Sequence, residues 1–480
     1  MANRARAEFG DFQTPRPLAE AALGVLRRAP RAIVEPTCGE GAFLHAAAAR
    51  FPGALLRGWE VKPEYAARAR RALPRGRSRV RVGDFFAVDW ERELAALPEP
   101  LAVVGNPPWV TNSGLSVLRS ENLPPKTNWR RLSGIDALTG KSNFDLGEWI
   151  LLRLLAALVG RRAELAVLCK AAVARAVLTV AGEANWPIAS GALHRIDAGK
   201  LFGASVAAVL LHVELGERGA SRVEFPVHER LGDRTCARTL SFQGGVLVAD
   251  SERFARTAHL AGRASPEWRS GMKHDAAAVM ELTRVGRTVR NAAGEILRLE
   301  PAHLFPLLKS SDVANGRTET SRLVIVPQRK LGEDTTLLAR RAPRLHAYLL
   351  RHADALAARR SAIYRGRPPF SVFGIGEYSF APWKVAISGL YKRLAFALVG
   401  PVGGRPVLFD DTCYFLPFQE EAAARRVHRA LSSELARDYF EARVFWDEKR
   451  PIDKALLQSL DLERLQEAAV RGTRSSFSER

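Results

Sequence analysis

Between Ala32 and Leu215 short apolar runs alternate with longer amphipathic stretches, and that rhythm leaves little room for anything but a parallel α/β sheet. The predicted strands are Ala32–Val34, Leu55–Val61, Arg79–Val82, Leu101–Val104, Glu164–Cys169 and Val206–Leu215. Helices are predicted over Pro63–Leu73 and Phe144–Val159. Alternation at this spacing implies a mainly parallel sheet with helices on both faces. Ligands of such sheets sit beyond the carboxyl ends of the strands, so chemistry is to be sought where strands end.

The texture changes after Leu215. Gly216–Arg222 is a polar break, Arg222–Asp250 suggests short antiparallel strands around a Gly244–Gly245 turn, and an irregular α+β pattern follows. Glu420–Phe445 and Ile452–Val470 read as amphipathic helices. Two domains are expected, 1–245 and 246–480. Met1–Phe12 contains no apolar run, so no signal peptide is expected. The apolar stretches Trp149–Gly160 and Ala204–Leu215 fall short of the ~18 residues of a membrane span. Four cysteines far apart, with no CxxC, argue against disulfides and structural zinc. Asp410-Asp411 has no third ligand at useful spacing, so no metal site is expected. A cytoplasmic chain is the reading.

Three segments at predicted strand ends carry chemistry. Glu35-Pro36-Thr37-Cys38-Gly39-Glu40-Gly41 follows the first strand and opens a helix. Its glycines let backbone approach a ligand, although it matches neither a nicotinamide fingerprint nor a P-loop. Glu60, nineteen residues after Gly41, ends the next strand, where an acid can accept from both ribose hydroxyls of a nucleoside. It would equally suit a helix N-terminus. Asn106-Pro107-Pro108-Trp109 follows Leu101–Val104. Paired prolines fix an extended backbone, so that the Asn106 oxygen and the Pro107 carbonyl can converge on a planar amine beside an aromatic face.

With these residues the chain resembles the S-adenosylmethionine-dependent amino-methyltransferases, and in particular the DNA adenine-N6 methyltransferases. Asn106-Pro107-Pro108-Trp109 looks like their catalytic motif, with Trp109 where Tyr or Phe is commoner, and Glu35, Pro36, Cys38, Gly39 and Gly41 look like their cofactor loop. Phe9–Pro15, containing Thr14, is similar to the segment closing over the cofactor's methionine end. Asp84-Phe85 resembles the pair contacting its adenine. Asn143-Phe144-Asp145-Leu146 looks like a lining of the target pocket, and Phe202 aligns with an aromatic that holds the flipped base. The order of motifs matches the gamma arrangement. The resemblance implies a Rossmann-like catalytic domain over 1–245, S-adenosylmethionine as cofactor, and base flipping, with Lys141 in the 111–141 stretch that could close over the base. It also implies a target-recognition domain over 246–480. RNA adenine, protein glutamine, or a catalytically silent DNA-binding role remain alternatives.

Charge points the same way. The chain has 72 Lys+Arg against 51 Asp+Glu, a formal charge of +21, and all but twelve of the cations are arginine. Guanidinium pairs bidentately with phosphate. Residues 251–400 hold 25 basic and 12 acidic residues, whereas 401–480 are close to neutral. Arg359–Arg393 interleaves seven cations, among them Arg365, Arg367, Lys384 and Lys392, with seven aromatics. That mixture suits phosphate contacts and groove insertion, so duplex DNA is the expected partner. Eight residues before Phe9 leave no room for a nuclease, so a restriction endonuclease is expected as a separate chain. Asp438, Glu441 and Glu448 only loosely echo a nuclease pattern.

Overall fold

A computed structural model describes residues 12–110, 145–216 and 223–469. It divides into two compact units, Met1–Ser251 and Glu252–Arg480. The first runs α1 (Arg16–Leu23), β1 (Ala32–Glu35), α2 (Ala42–Arg50), β2 (Leu55–Glu60), α3 (Pro63–Arg71), β3 (Ser78–Val82), α4 (Trp90–Ala95), β4 (Leu101–Gly105) and α5 (Leu146–Leu158). It continues with β5 (Ala163–Lys170), α6 (Ala171–Glu183), β6 (Ile188–Ile196), α7 (Ala198–Phe202), β7 (Ala208–Leu215), β8 (Glu224–His228), β9 (Arg238–Gln243) and β10 (Val246–Val248).

These strands form one sheet in the order β10-β9-β8-β6-β7-β5-β4-β1-β2-β3. From β5 to β3 every pairing is parallel. β1 and β4 are buried along their whole length, as strands covered on both faces must be. Ala102 and Val104 of β4 join a core with α1, α2 and α3. Leu101 and Val103, equally buried, lie outside that core, and α4, α5 and α6 pack on one another. The chain passes from β1 to β2 on one side and returns to β4 on the other. Strand order therefore reverses at β1, which opens a crevice at the carboxyl ends of β1 and β4.

The sequence reading differs from the structure beyond β5. β7 is antiparallel to both β5 and β6, and β6 was not foreseen as a strand. The expected β9–β10 hairpin around Gly244–Gly245 does form, and with β8 it extends the main sheet. The second unit holds a four-stranded antiparallel sheet (Arg269–Ser270, Cys413–Phe418, Trp383–Ser388, Phe396–Val399). It also holds a six-stranded sheet (Ile296–Leu297, Thr288–Arg290, Glu281–Val285, Arg322–Ile325, Leu304–Leu308, Leu408–Phe409). The helix expected over Glu420–Phe445 is split into Glu421–Leu431 and Glu434–Glu441. The break is Ser432-Ser433, where the Ser433 hydroxyl accepts from Ala436 N and caps the second helix. The helix expected over Ile452–Val470 is likewise interrupted after Gln458, and Leu460 bridges to Ala261 instead.

Candidate functional site

At the end of β1 the Glu35 side chain turns inward beneath the loop, 3% exposed, and its Oε2 accepts from Leu44 N at 3.1 Å in the first turn of α2. Burial drives this carboxyl well above the usual carboxylate range, against the opposing pull of the helix N–H groups. The same burial, with Glu35 and Glu60 nearby, pushes the Cys38 thiol up, so that it stays protonated. The folded state holds the Glu35 proton more tightly than the unfolded chain does. Its stabilising effect is therefore complete at low pH and is lost as pH rises through the folded pKa. Glu35→Gln keeps an acceptor for Leu44 N and is expected to flatten that decline, read as urea midpoints at about pH 5 and about pH 8. Parallel pH profiles for the two proteins would contradict this.

Above Glu35 the loop folds back tightly. Cys38 N donates to the Trp59 carbonyl at 2.8 Å and Gly41 N to the Cys38 carbonyl at 2.7 Å. Gly39 and Gly41 lie at φ +53° and +84°, and a β-carbon on Gly41 would come within 2.9 Å of Ala69 Cβ on α3. Both the backbone conformation and the approach of α3 thus require glycine at 41. Glu60, ending β2, ties the loop to α3. Its Oε2 accepts from Gly39 N at 2.8 Å and its Oε1 from Lys62 N at 2.9 Å. Two backbone N–H groups therefore hold the carboxylate in one orientation at the pocket wall.

Past β4, the Asn106 amide nitrogen donates to the Phe12 carbonyl at 3.2 Å. Its Oδ1 is buried, with no hydrogen-bond partner among the described residues. A buried amide oxygen left unpaired costs free energy, so at the wall of a pocket it calls for a donor, from water or from a ligand. Trp109 packs edge-on against Phe202 at 5.3 Å, and Phe12 touches both rings at 5.7 and 5.9 Å. Trp109 and Phe202 are each only 7% exposed. They form one aromatic cluster beneath the Asn106 loop.

These segments surround one pocket of about 870 Å³, its open mouth included. Thr14, Glu35, Pro36, Cys38, Gly39, Glu60, Asp84, Phe85, Asn106 and Pro108 all line it. With Leu146 and Ile150 of α5, the walls come from six separate stretches of sequence. Asp84 caps the short turn at Phe85–Ala87 through Phe86 N at 3.0 Å. Phe85 stacks on Trp90 at 4.8 Å, and Trp90 meets Trp59 at 5.0 Å. Gly41, Pro107, Trp109 and Phe202 are not among the lining residues. Phe144 and Lys141 lie outside the described residues, as do Phe9–Asp11 and Asn143. Phe12 and Gln13, from the segment expected to close over the cofactor, line it too, whereas the sequence reading missed Lys62, Tyr65 and Ile150. The available signals were slight: Ile150 stands four residues after Leu146 on one helix face, and Lys62 and Tyr65 follow the acid at the start of α3.

In the second unit the basic and aromatic residues separate. Arg365 and Arg367 are exposed beside a Tyr364–Phe373 ring pair at 5.5 Å, with the Arg359 guanidinium 3.7 Å from the Tyr364 ring centre. Lys392 is exposed as well. Lys384 corrects the sequence reading. It is 1% exposed, donates to the Ala381 carbonyl at 2.6 Å, and desolvation lowers its pKa to about 7. It occupies an interior strand position covered on both sides, so it is not presented to a nucleic acid. Asp410 accepts from Thr412 and Asp411 pairs with Lys273 at 3.6 Å. Asp438 pairs with Arg253 at 3.2 Å, and Glu441 accepts from the Trp446 indole at 3.0 Å. No helix among the described residues is long and apolar enough to cross a membrane.

No protein-family model matches the chain. It is 40% identical over 476 residues to the Type II methyltransferase M.NspV of Nostoc sp. (strain ATCC 29411 / PCC 7524), covering 96% of this chain and 97% of that one. Among solved structures it resembles the Type IIL restriction-modification enzyme MmeI in complex with DNA, with a TM-score of 0.55 at 12% identity. That likeness spans 93% of this chain and 62% of the other, and establishes a shared fold.

Proposed function

The chain belongs to the type II methyltransferase family, and on that premise we propose that it is a site-specific DNA methyltransferase acting on the N6 amine of adenine. The observation that carries this reading is the buried, unpartnered Oδ1 of Asn106 at the wall of the pocket. An exocyclic amine is the donor it lacks.

The pocket suits S-adenosylmethionine. Its volume falls in the ~300–1,000 Å³ range of small-molecule sites, and an oriented carboxylate at the end of β2 meets the demand of a ribose. In this reading Glu60 holds the ribose hydroxyls, Asp84 and Phe85 flank the adenine, and Thr14 and Gly39 face the methionine end, while Gly41 shapes the turn behind them. Bound there, S-adenosylmethionine supplies an electrophilic sulfonium methyl.

Asn106 Oδ1 and the Pro107 carbonyl then accept the two hydrogens of the target amine. Its lone pair, otherwise delocalised into the ring, localises on nitrogen. Fixed dipoles stabilise the developing charge without a general base, and the proton that the methylated nitrogen then sheds would pass to water. Pro107 and Pro108 hold these acceptors in place, so much of the rate comes from orientation. The amine is unreachable inside a duplex, so the adenine is flipped out and stacks on Trp109 with Phe202 beside it. Residues 246–480 contact the duplex through Arg365, Arg367 and Lys392.

The test is transfer of labelled methyl from S-adenosylmethionine to duplex DNA, tRNA, rRNA and protein, followed by nucleoside analysis. N6-methyladenine in DNA is the expected product. Label confined to RNA or protein, or recovered as a methylated cytosine, would overturn the reading.

A further inference from the structure

The last residue of β5 is Lys170, three residues beyond Val167, which pairs with the final residue of β4, Gly105. Lys170 therefore emerges at the carboxyl edge of the sheet, on the strand next to the point where the chain leaves β4 as Asn106-Pro107-Pro108-Trp109. Its ammonium pairs with Asp145 Oδ2, and both side chains are largely shielded from water. The other oxygen, Oδ1, caps α5 by accepting from Gly147 N at 3.0 Å. The next residue, Leu146, donates its N–H to the Val110 carbonyl at 2.8 Å, immediately after Trp109. A β-carbon on Gly147 would meet the Pro108 carbonyl oxygen at 3.5 Å, so the first turn of α5 lies against the loop itself. Leu146 and Ile150 of that helix line the pocket.

A helix start needs an acceptor, which serine or asparagine supplies without charge. Here a carboxylate stands in a shielded place where desolvation opposes its ionisation, and a lysine from the neighbouring strand is spent on it. Cap formation alone does not call for that lysine. Joining two elements on either side of a loop does.

We propose that Asp145 and Lys170 are a positioning pair, which clamps the start of α5 to the end of β5 and thereby fixes the Asn106–Val110 loop for catalysis. Neither side chain touches the reacting atoms. Both act through the loop, and the proposal rests on that loop being the catalytic one.

The test uses the full chain with Asp145→Asn, Lys170→Met, Lys170→Arg and the double variant Asp145→Asn/Lys170→Met. Asparagine keeps the cap hydrogen bond and removes the charge, so a merely structural cap predicts little change. The positioning role predicts kcat lowered by about 100-fold, the scale of a roughly 1 Å misplacement, in Asp145→Asn and Lys170→Met. Cofactor affinity should stay within about fivefold, because Leu146 and Ile150 keep their apolar walls. Lys170→Arg should recover at least about a tenth of wild-type kcat, and the double variant should be no worse than either single change.

Wild-type kcat in Asp145→Asn, or Lys170→Arg as impaired as Lys170→Met, would overturn the proposal. If a single variant fails to fold because one charge is left unpaired, the double variant decides, since it removes both charges together. A folded double variant with wild-type kcat then overturns the role. No incorporation into DNA by the wild type, run alongside, would instead overturn the functional reading beneath it.

Discussion

Asn106→Ala is expected to lower methyl transfer by about 10²–10³-fold, the usual cost of removing one preorganised dipole from a reacting centre. Cofactor affinity should change by no more than about threefold, because in the proposed mechanism the interaction lost is one made with the target amine. The expectation follows from the asymmetry of this side chain. Its Nδ2 is engaged by the Phe12 carbonyl, which orients the amide, whereas its Oδ1 is buried and unpaired. The protein thus holds an acceptor ready and leaves it unsatisfied, as a site preorganised for a donor should. Asn106→Asp offers a control. It keeps an acceptor oxygen but places a carboxylate where the amide donated to Phe12 O, and should therefore also be impaired. Single-turnover transfer of labelled methyl separates the chemical step from product release, and calorimetric titration gives the cofactor affinity. Full activity in Asn106→Ala would sink the mechanism.

The strand-end segments were legible because each packs its chemistry into one short string. Glu35–Gly41 and Asn106–Trp109 need only the knowledge that a strand precedes them, and Glu60 needs only its distance from Gly41. β1, β4 and β5 were equally plain, since strands buried on both faces read as largely apolar runs. What escaped was set by contacts between distant parts of the chain. Nothing local announces that Asp145 meets Lys170, or that the Phe12 carbonyl orients Asn106. β6 was missed because Ser190, His194 and Arg195 interrupt its apolar pattern, and its pairing with β7 and β8 decides the matter. Lys384 was misplaced for a related reason. A lysine among aromatics resembles a nucleic-acid contact until neighbouring strands on both sides bury it.

Glu60→Gln should raise the cofactor dissociation constant by about 100-fold, more than the nearly equal size of the two side chains suggests. Both carboxylate oxygens accept from backbone N–H groups, Gly39 on one side and Lys62 on the other. A glutamine amide has only one acceptor oxygen, so its NH2 must face one of those two donors. The displaced N–H loses its partner, which costs about 1–3 kcal/mol in a shielded site. If Gly39 is the one released, the pocket-lining loop loosens as well, and the second acceptor that the proposed function assigns to a ribose hydroxyl is gone in either case. Glu60→Asp, shorter by one methylene, cannot span both donors and should fall between glutamine and wild type. Because these losses concern holding rather than reacting, kcat at saturating cofactor should stay within about threefold of wild type. Quenching of intrinsic tryptophan fluorescence suits the measurement, since Trp59 lines the pocket beside Glu60. An unchanged dissociation constant with a collapsed kcat would move Glu60 from the ribose to the reaction itself.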